Sequence, residues 1–96
     1  MIRHIVFFTV KEARDYERVY EGLCVLKTNP HAAHIEIGKN LKTDAISNET
    51  VDFVVYGEFE NKAALDAYKA HETYQQSIDI VRPLRELRIA ADFEAE

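Results

Sequence analysis

The chain has 96 residues, with 12 Lys and Arg against 17 Asp and Glu, for a net charge of −5. At 47% hydrophobic and 30% charged it has the composition of a globular domain, and no basic run stands out. Nucleic acid and anionic membranes both need a basic patch to engage phosphates, so neither is an expected partner. No apolar stretch approaches the roughly 18 residues that span a bilayer. The N-terminus runs directly into a strand pattern, unlike a secretory leader with its cleavage site. A single cytoplasmic domain over residues 1–96 is the expectation. The one cysteine, Cys24, excludes an intramolecular disulfide and any multi-cysteine metal site. Between Leu23 and Val25 it reads as a buried, inert thiol.

Ile2 to Val10, IRHIVFFTV, is dense in β-branched and aromatic residues and predicts a strand. Both its faces are largely apolar: Ile2, His4, Val6, Phe8 and Val10 on one, Arg3, Ile5, Phe7 and Thr9 on the other. After a polar connection, Tyr16, Val19, Tyr20, Leu23 and Leu26 recur at helical spacing, with Glu17, Arg18, Glu21 and Lys27 opposite. Gly22 costs this helix about 1 kcal/mol relative to Ala, which points to a close approach to the sheet or to space left for something else. Asn29-Pro30 ends the helix. His34 to Leu41 alternates, with Ile35 and Ile37 facing one way, and Gly38 marks a bulge or bend. Lys42 to Thr50 is a polar loop turning at Ser47-Asn48.

Val51 to Glu60 is a third strand, with Val51, Phe53, Val55 and Phe59 on one side and Val54 and Tyr56 on the other. Asn61 is a good N-cap for the helical region that follows, and Ala63, Ala64, Leu65 and Ala67 have high helix propensity. Spacings of three, three and four then place Tyr68, His71, Tyr74 and Ile78 on one helix face. Such a face, apolar with polar tips, fits the wall of a pocket as well as a core. Pro83 stops the helix. Glu86 to Glu94 is the last strand, with Leu87, Ile89, Ala91 and Phe93 alternating against Arg88, Ala90 and Asp92.

The order β-α-β-β-α-β is the split βαβ pattern of an α+β, ferredoxin-like fold with an antiparallel sheet. Two helices cover one face of such a sheet. They leave Ile5, Phe7, Ile35, Val54 and Tyr56 on the other, an apolar surface of the kind that forms an interface. Pairing two such sheets face to face buries it and makes a two-fold symmetric, dimeric α+β barrel. A homodimer through the sheet face is therefore expected.

The chain resembles the stress-responsive A/B barrel family, or Dabb domains, over nearly its whole length. The resemblance is carried by Met1-Ile2-Arg3-His4, by Gly38-Lys39-Asn40, and by Tyr68-Lys69-Ala70-His71. Val81-Arg82-Pro83-Leu84 and Asp92-Phe93 also fit. It implies a dimeric ferredoxin-like barrel with a pocket between each sheet and its helices. The family's best-understood activity is that of a plant polyketide cyclase, an aldol condensation without cofactor or metal; other members are plant stress proteins. His4 matches the cyclase's first-strand histidine and Tyr68 its helical tyrosine. The family's His-Pro-x-His pattern reads His71-Glu72-Thr73-Tyr74 here. Tyr74 thus stands where the cyclase has its catalytic base, and a tyrosine with a pKa of about 10 is a poor base at neutral pH. That counts against the cyclase reaction itself.

The expected site combines His4 and Tyr68 as catalytic residues with Val6, Phe8, His71 and Tyr74 as ligand contacts. Imidazole titrates nearest neutrality and suits a general base. Tyr68 and Tyr74 present an apolar ring with a polar tip, and His71 also fits a cap where the helical region breaks. No metal site is expected: a helix-borne H-x-x-x-H pair is missing, and His31 and His34 turn to different faces. Without a Gly-rich phosphate loop, Ser elbow or CxxC pair, the chemistry expected is cofactor-free acid–base work on a small, fairly apolar carbonyl compound. Two further readings fit the same residues: a non-catalytic dimeric stress or scaffold protein, and, from fold alone, a cofactor-free monooxygenase.

Overall fold

The computed structural model describes residues 1–96. Strand β1 (Ile2–Val10) leads into helix α1 (Tyr16–Cys24), which tightens into a 3-10 turn over Val25–Thr28 before strand β2 (His34–Lys39). Strand β3 (Phe53–Phe59), helices α2 (Lys62–Ala70) and α3 (Glu72–Val81), and strand β4 (Arg85–Glu94) complete the chain. The strands form one 4-stranded sheet in the order β2-β3-β1-β4, and every neighbouring pair is antiparallel. This is the ferredoxin-like arrangement expected from the element order.

Alternation along β1 and β3 decides what lies under the helices. Ile2, His4, Val6 and Phe8 are buried while Arg3 and Phe7 are exposed, and Phe53, Val55 and Phe59 are buried along β3. These side chains meet Val19, Leu23 and Leu26 from the first helical segment and Leu65, Tyr68 and Val81 from α2 and α3. Full burial of an aliphatic or aromatic side chain is worth roughly 1.5–3 kcal/mol, so this cluster supplies most of the drive for folding. Tyr16 and Tyr20 extend it, with ring centroids 4.6 and 5.8 Å from that of Phe53.

The opposite face has no helix over it. Register sets Val54, Phe7 and Ile89 in one row across β3, β1 and β4, and Tyr56, Ile5 and Ala91 in the next. Phe7, Leu87, Ile89 and Phe93 are 36%, 38%, 53% and 49% exposed. Ile35 does not belong there. It pairs with Gly57 on the helix side and packs against the core, where the missing Cβ of Gly57 leaves it room: a methyl at Gly57 would come within 3.0 Å of Ile35 Cδ1.

Other local expectations change as well. Gly38 carries no bulge and pairs regularly with Val54; the sheet's one register shift lies between Phe8 and Val10 of β1 and β4. Gly22 serves helix–helix rather than helix–sheet packing, since a Cβ there would lie 2.6 Å from Ile80 Cγ2 and 2.9 Å from Val81 Cγ2 of α3. Cys24 is half-buried rather than buried. The loop after β2 turns at Asp44, whose carboxylate accepts from the backbone N–H groups of Ile46 and Ser47 at 3.3 and 3.1 Å. The expected break of the helical region at His71 is present: it adopts extended backbone (φ −74°, ψ 150°) and serves as C-cap of α2 and N-cap of α3.

Candidate functional site

Each helix end near the site is fixed by a side chain. The Asn61 carboxamide oxygen accepts from Ala64 N–H at 2.9 Å and starts α2. Buried Asn29 donates through Nδ2 to the Tyr68 carbonyl and to Thr73 Oγ1, both at 3.0 Å, which pins the break between α2 and α3 against the end of the first helical segment. His71 Nδ1 accepts from Thr73 N–H at 3.2 Å, capping α3, and its ring lies 5.6 Å from that of His31. Because α3 restarts there, Tyr68 and Tyr74 reach the same space from two helices, with ring centroids 5.2 Å apart.

That space is a cavity of about 310 Å³ between the sheet and α3. Its floor is His4, Val6 and Phe8 of β1 with Val55 of β3. Its walls are Leu23, Leu26, Tyr68, Tyr74, Ser77, Ile78 and Val81, and Arg82, Arg85 and Arg88 stand along it. Of the residues singled out from sequence, His4, Tyr68, Val6, Phe8 and Tyr74 are brought together here. His71 is not among the lining residues; it is occupied as a cap.

His4 and Tyr68 come from distant parts of the chain and meet edge to face, with ring centroids 6.0 Å apart. Phe59 packs on both rings, at 6.1 Å from His4 and 4.8 Å from Tyr68. The His4 side chain is 2% exposed, and its Nδ1 lies 2.5 Å from Asp92 Oδ1 directly across the β1–β4 pair. A neutral imidazole bonded in this way donates from Nδ1 and carries its lone pair on Nε2. Burial pushes the His4 pKa below the ordinary 6.5. The Asp92 carboxylate pulls it back, but that side chain is 37% exposed and screened by solvent, while Lys69 and Arg88 add positive charge that lowers it further. The net shift favours the neutral imidazole over the imidazolium near neutral pH.

Tyr68 is wholly buried, and its hydroxyl has no hydrogen-bond partner in the protein. Such a group ordinarily costs about 1–3 kcal/mol, so its position in a cavity wall is notable. Burial raises its pKa strongly, reinforced by Tyr74 and only partly opposed by Arg88. It stays protonated near neutrality and can donate. The Tyr74 hydroxyl accepts from Arg88 Nη2 at 3.3 Å. His4 and Tyr68, the latter with a buried hydroxyl that no protein group bonds, thus line the same small cavity.

Asp92 and the arginines were not singled out from sequence as site residues. The signal was present in the last strand, where Arg88, Ala90 and Asp92 alternate against Leu87, Ile89, Ala91 and Phe93. Arg88, Ala90 and Asp92 pair with Phe8, Val6 and His4 on the helix side of the sheet; of the three, Arg88 lines the cavity and Asp92 bonds to His4.

Known structures share this architecture. A Dabb family protein with a ferredoxin-like fold from Mesorhizobium loti matches with a TM-score of 0.82 at 23% identity, covering 99% of this chain and 96% of that one. A dimeric ferredoxin-like protein of unknown function from Jannaschia sp. matches with a TM-score of 0.83 at 22% identity, covering 98% of each chain. An antibiotic biosynthesis monooxygenase matches with a TM-score of 0.80 at 16% identity, covering 100% of this chain and 99% of that one. At these identities the likeness is one of fold. Among curated proteins, none matches the sequence. The model of the Stress responsive A/B Barrel Domain matches residues 2–95, nearly the entire chain, and the protein belongs to that family.

Proposed function

We propose that the protein binds a small, largely apolar carbonyl compound in the sheet–helix cavity and moves a proton on it without a cofactor. His4 is the base, Asp92 its positioning partner, and Tyr68 the donor to the carbonyl oxygen. Val6, Phe8 and Tyr74 form the walls that hold the molecule. The observation that carries this reading is the pairing of His4 Nδ1 with Asp92, which directs the basic Nε2 away from the strand partner, beside a buried Tyr68 hydroxyl with no partner of its own. In the reaction, Nε2 takes a proton from the carbon next to the carbonyl while Tyr68 donates to the oxygen that gains charge. The Asp92 carboxylate stabilises the imidazolium so formed. Return of the proton to carbon, or attack of the enolate on a second carbonyl, then completes an isomerase-like or cyclase-like step. With His4 as base, Tyr74 is not required to act as one.

The working unit of this proposal is a homodimer joined through the open sheet face. Its support is the exposed row of Phe7, Leu87, Ile89 and Phe93, together with similar structures described as dimeric. Face-to-face pairing would bury these side chains and close the barrel.

The test is deuterium incorporation. Small ketones and β-dicarbonyl compounds would be incubated with the protein in D2O and exchange at the carbon beside the carbonyl followed by NMR. Catalysed exchange should fall by at least about tenfold in Asp92→Asn and be lost in His4→Gln, since a positioned base contributes 10²–10⁴-fold. Exchange unchanged in His4→Gln would place the chemistry elsewhere, and no exchange with any compound that demonstrably binds would favour the non-catalytic reading.

A further inference from the structure

The chain is acidic, yet three arginines converge on its main cavity without a carboxylate. Arg82, Arg85 and Arg88 all line it, and none takes part in any ion pair of the structure. Arg82 follows α3, where a cation is favoured by the helix C-terminus alone. That account does not extend to Arg85 and Arg88.

Residues three apart on a regular strand point to opposite faces, so Arg85 and Arg88 should not share one. They do because of the register shift. Between Val10 and Phe8 the first strand advances two residues while β4 advances three, from Arg85 to Arg88. The extra residue is accommodated by Leu87, whose N–H donates to Thr9 Oγ1 at 2.9 Å. A bulge that re-aims a side chain next to a site is a recurrent use of this irregularity. Here it turns a second guanidinium into the cavity that Tyr68 and His4 line.

We propose that the cavity's ligand is a carboxylate, its acid group held by the arginines and its carbonyl end at His4 and Tyr68: a small keto acid. This deepens the proposed function and rests on the same cavity being a ligand site. Guanidinium groups pair bidentately with carboxylates. The walls between the two ends are apolar, and the volume of about 310 Å³ is at the low end for ligand pockets, so the molecule is small. Two ends of different chemistry would fix its direction. The Tyr68 hydroxyl, buried and unpartnered, marks the second polar end independently of the arginines.

Binding of matched pairs tests this. Benzoate and hexanoate would be compared with benzamide and hexanamide, and with phenyl phosphate, by NMR titration of the intact protein. Each acid should bind at least about tenfold more tightly than its amide in low salt, and the gap should narrow as salt screens the exposed guanidinium groups. Arg85→Gln and Arg88→Gln should close the gap by weakening acid binding far more than amide binding. Arg85→Lys should restore part of it, which separates loss of charge from loss of fold. Equal binding of acid and amide, or a gap untouched in both glutamine variants, would overturn the inference and leave the cavity reading standing. Phenyl phosphate binding more tightly than benzoate would overturn the carboxylate assignment. If neither acids nor amides bind at millimolar concentration to the folded protein, the cavity reading falls and this inference with it.

Discussion

Tyr68→Phe separates a hydroxyl kept for a ligand from one kept for the fold. The substitution removes one oxygen and leaves the ring contacts with His4, Phe59 and Tyr74, at 6.0, 4.8 and 5.2 Å between centroids. In an ordinary buried tyrosine the hydroxyl makes a net contribution of about 1 kcal/mol through its hydrogen bond, and its loss destabilises by that amount. Here no protein group is bonded to it, so phenylalanine removes a desolvation cost of about 1–3 kcal/mol instead. A water reaching the oxygen from the cavity would offset part of this, so we expect a gain of about 1 kcal/mol. For a chain of this size that is a rise in Tm of about 4–8 °C. Thermal and urea unfolding followed by circular dichroism would read it, with both proteins at one subunit concentration so that dimerisation does not enter the difference. Ligand affinity or turnover should fall at the same time, the exchange of stability for function expected at a site. A loss of about 1 kcal/mol or more would refute the reasoning, because it would show the hydroxyl already bonded in the fold.

The remaining predictions concern other parts of the molecule. Stability should fall as pH drops below 6.5: the folded His4 pKa is depressed, so the unfolded chain binds the proton first, and the contribution present above 6.5 is lost below it. A flatter acid limb in His4→Gln checks this; an unchanged one contradicts it. Gly22→Ala should destabilise by about 1 kcal/mol in urea unfolding, since overpacking of Ile80 and Val81 at 2.6 and 2.9 Å costs about 1–3 kcal/mol and outweighs the roughly 1 kcal/mol gain in helix propensity. Phe7→Glu should convert a particle of about twice 11.1 kDa into monomer or unfolded chain by light scattering, because it puts an unpaired charge into the sheet-face contact. A folded variant that keeps the wild-type mass would place the interface elsewhere.

How much of this was legible in the sequence depended on whether a residue's environment was set by its own strand or by a neighbour. His4, Val6 and Phe8 share a face by alternation alone, and the helical spacing of Tyr68 and Tyr74 pointed to the same wall. Ile35 was placed on the open face because the phase of β2 relative to β3 is a property of the pairing. It lies opposite Gly57, and nothing in HIEIGK reveals that. The break at His71 was legible only as a capping option, because it depends on Asn29 holding the Tyr68 carbonyl from another segment. In β4 the alternation was correct, but its direction was not readable. An apolar row usually faces inward, and here it faces the open side while Arg88 lines the cavity and Asp92 bonds to His4. The inward aim of Arg85 depends on a bulge against β1 that no local pattern announces.

The account stands or falls on His4 being a neutral base whose free nitrogen is Nε2. Long-range proton–nitrogen NMR of the labelled protein, followed across mildly acidic to mildly alkaline pH, reads this directly. The prediction is a proton on Nδ1, a lone pair on Nε2 at neutral pH, and a titration midpoint below the ordinary imidazole value of 6.5. An imidazolium persisting at neutral pH, or a proton resident on Nε2, would contradict it.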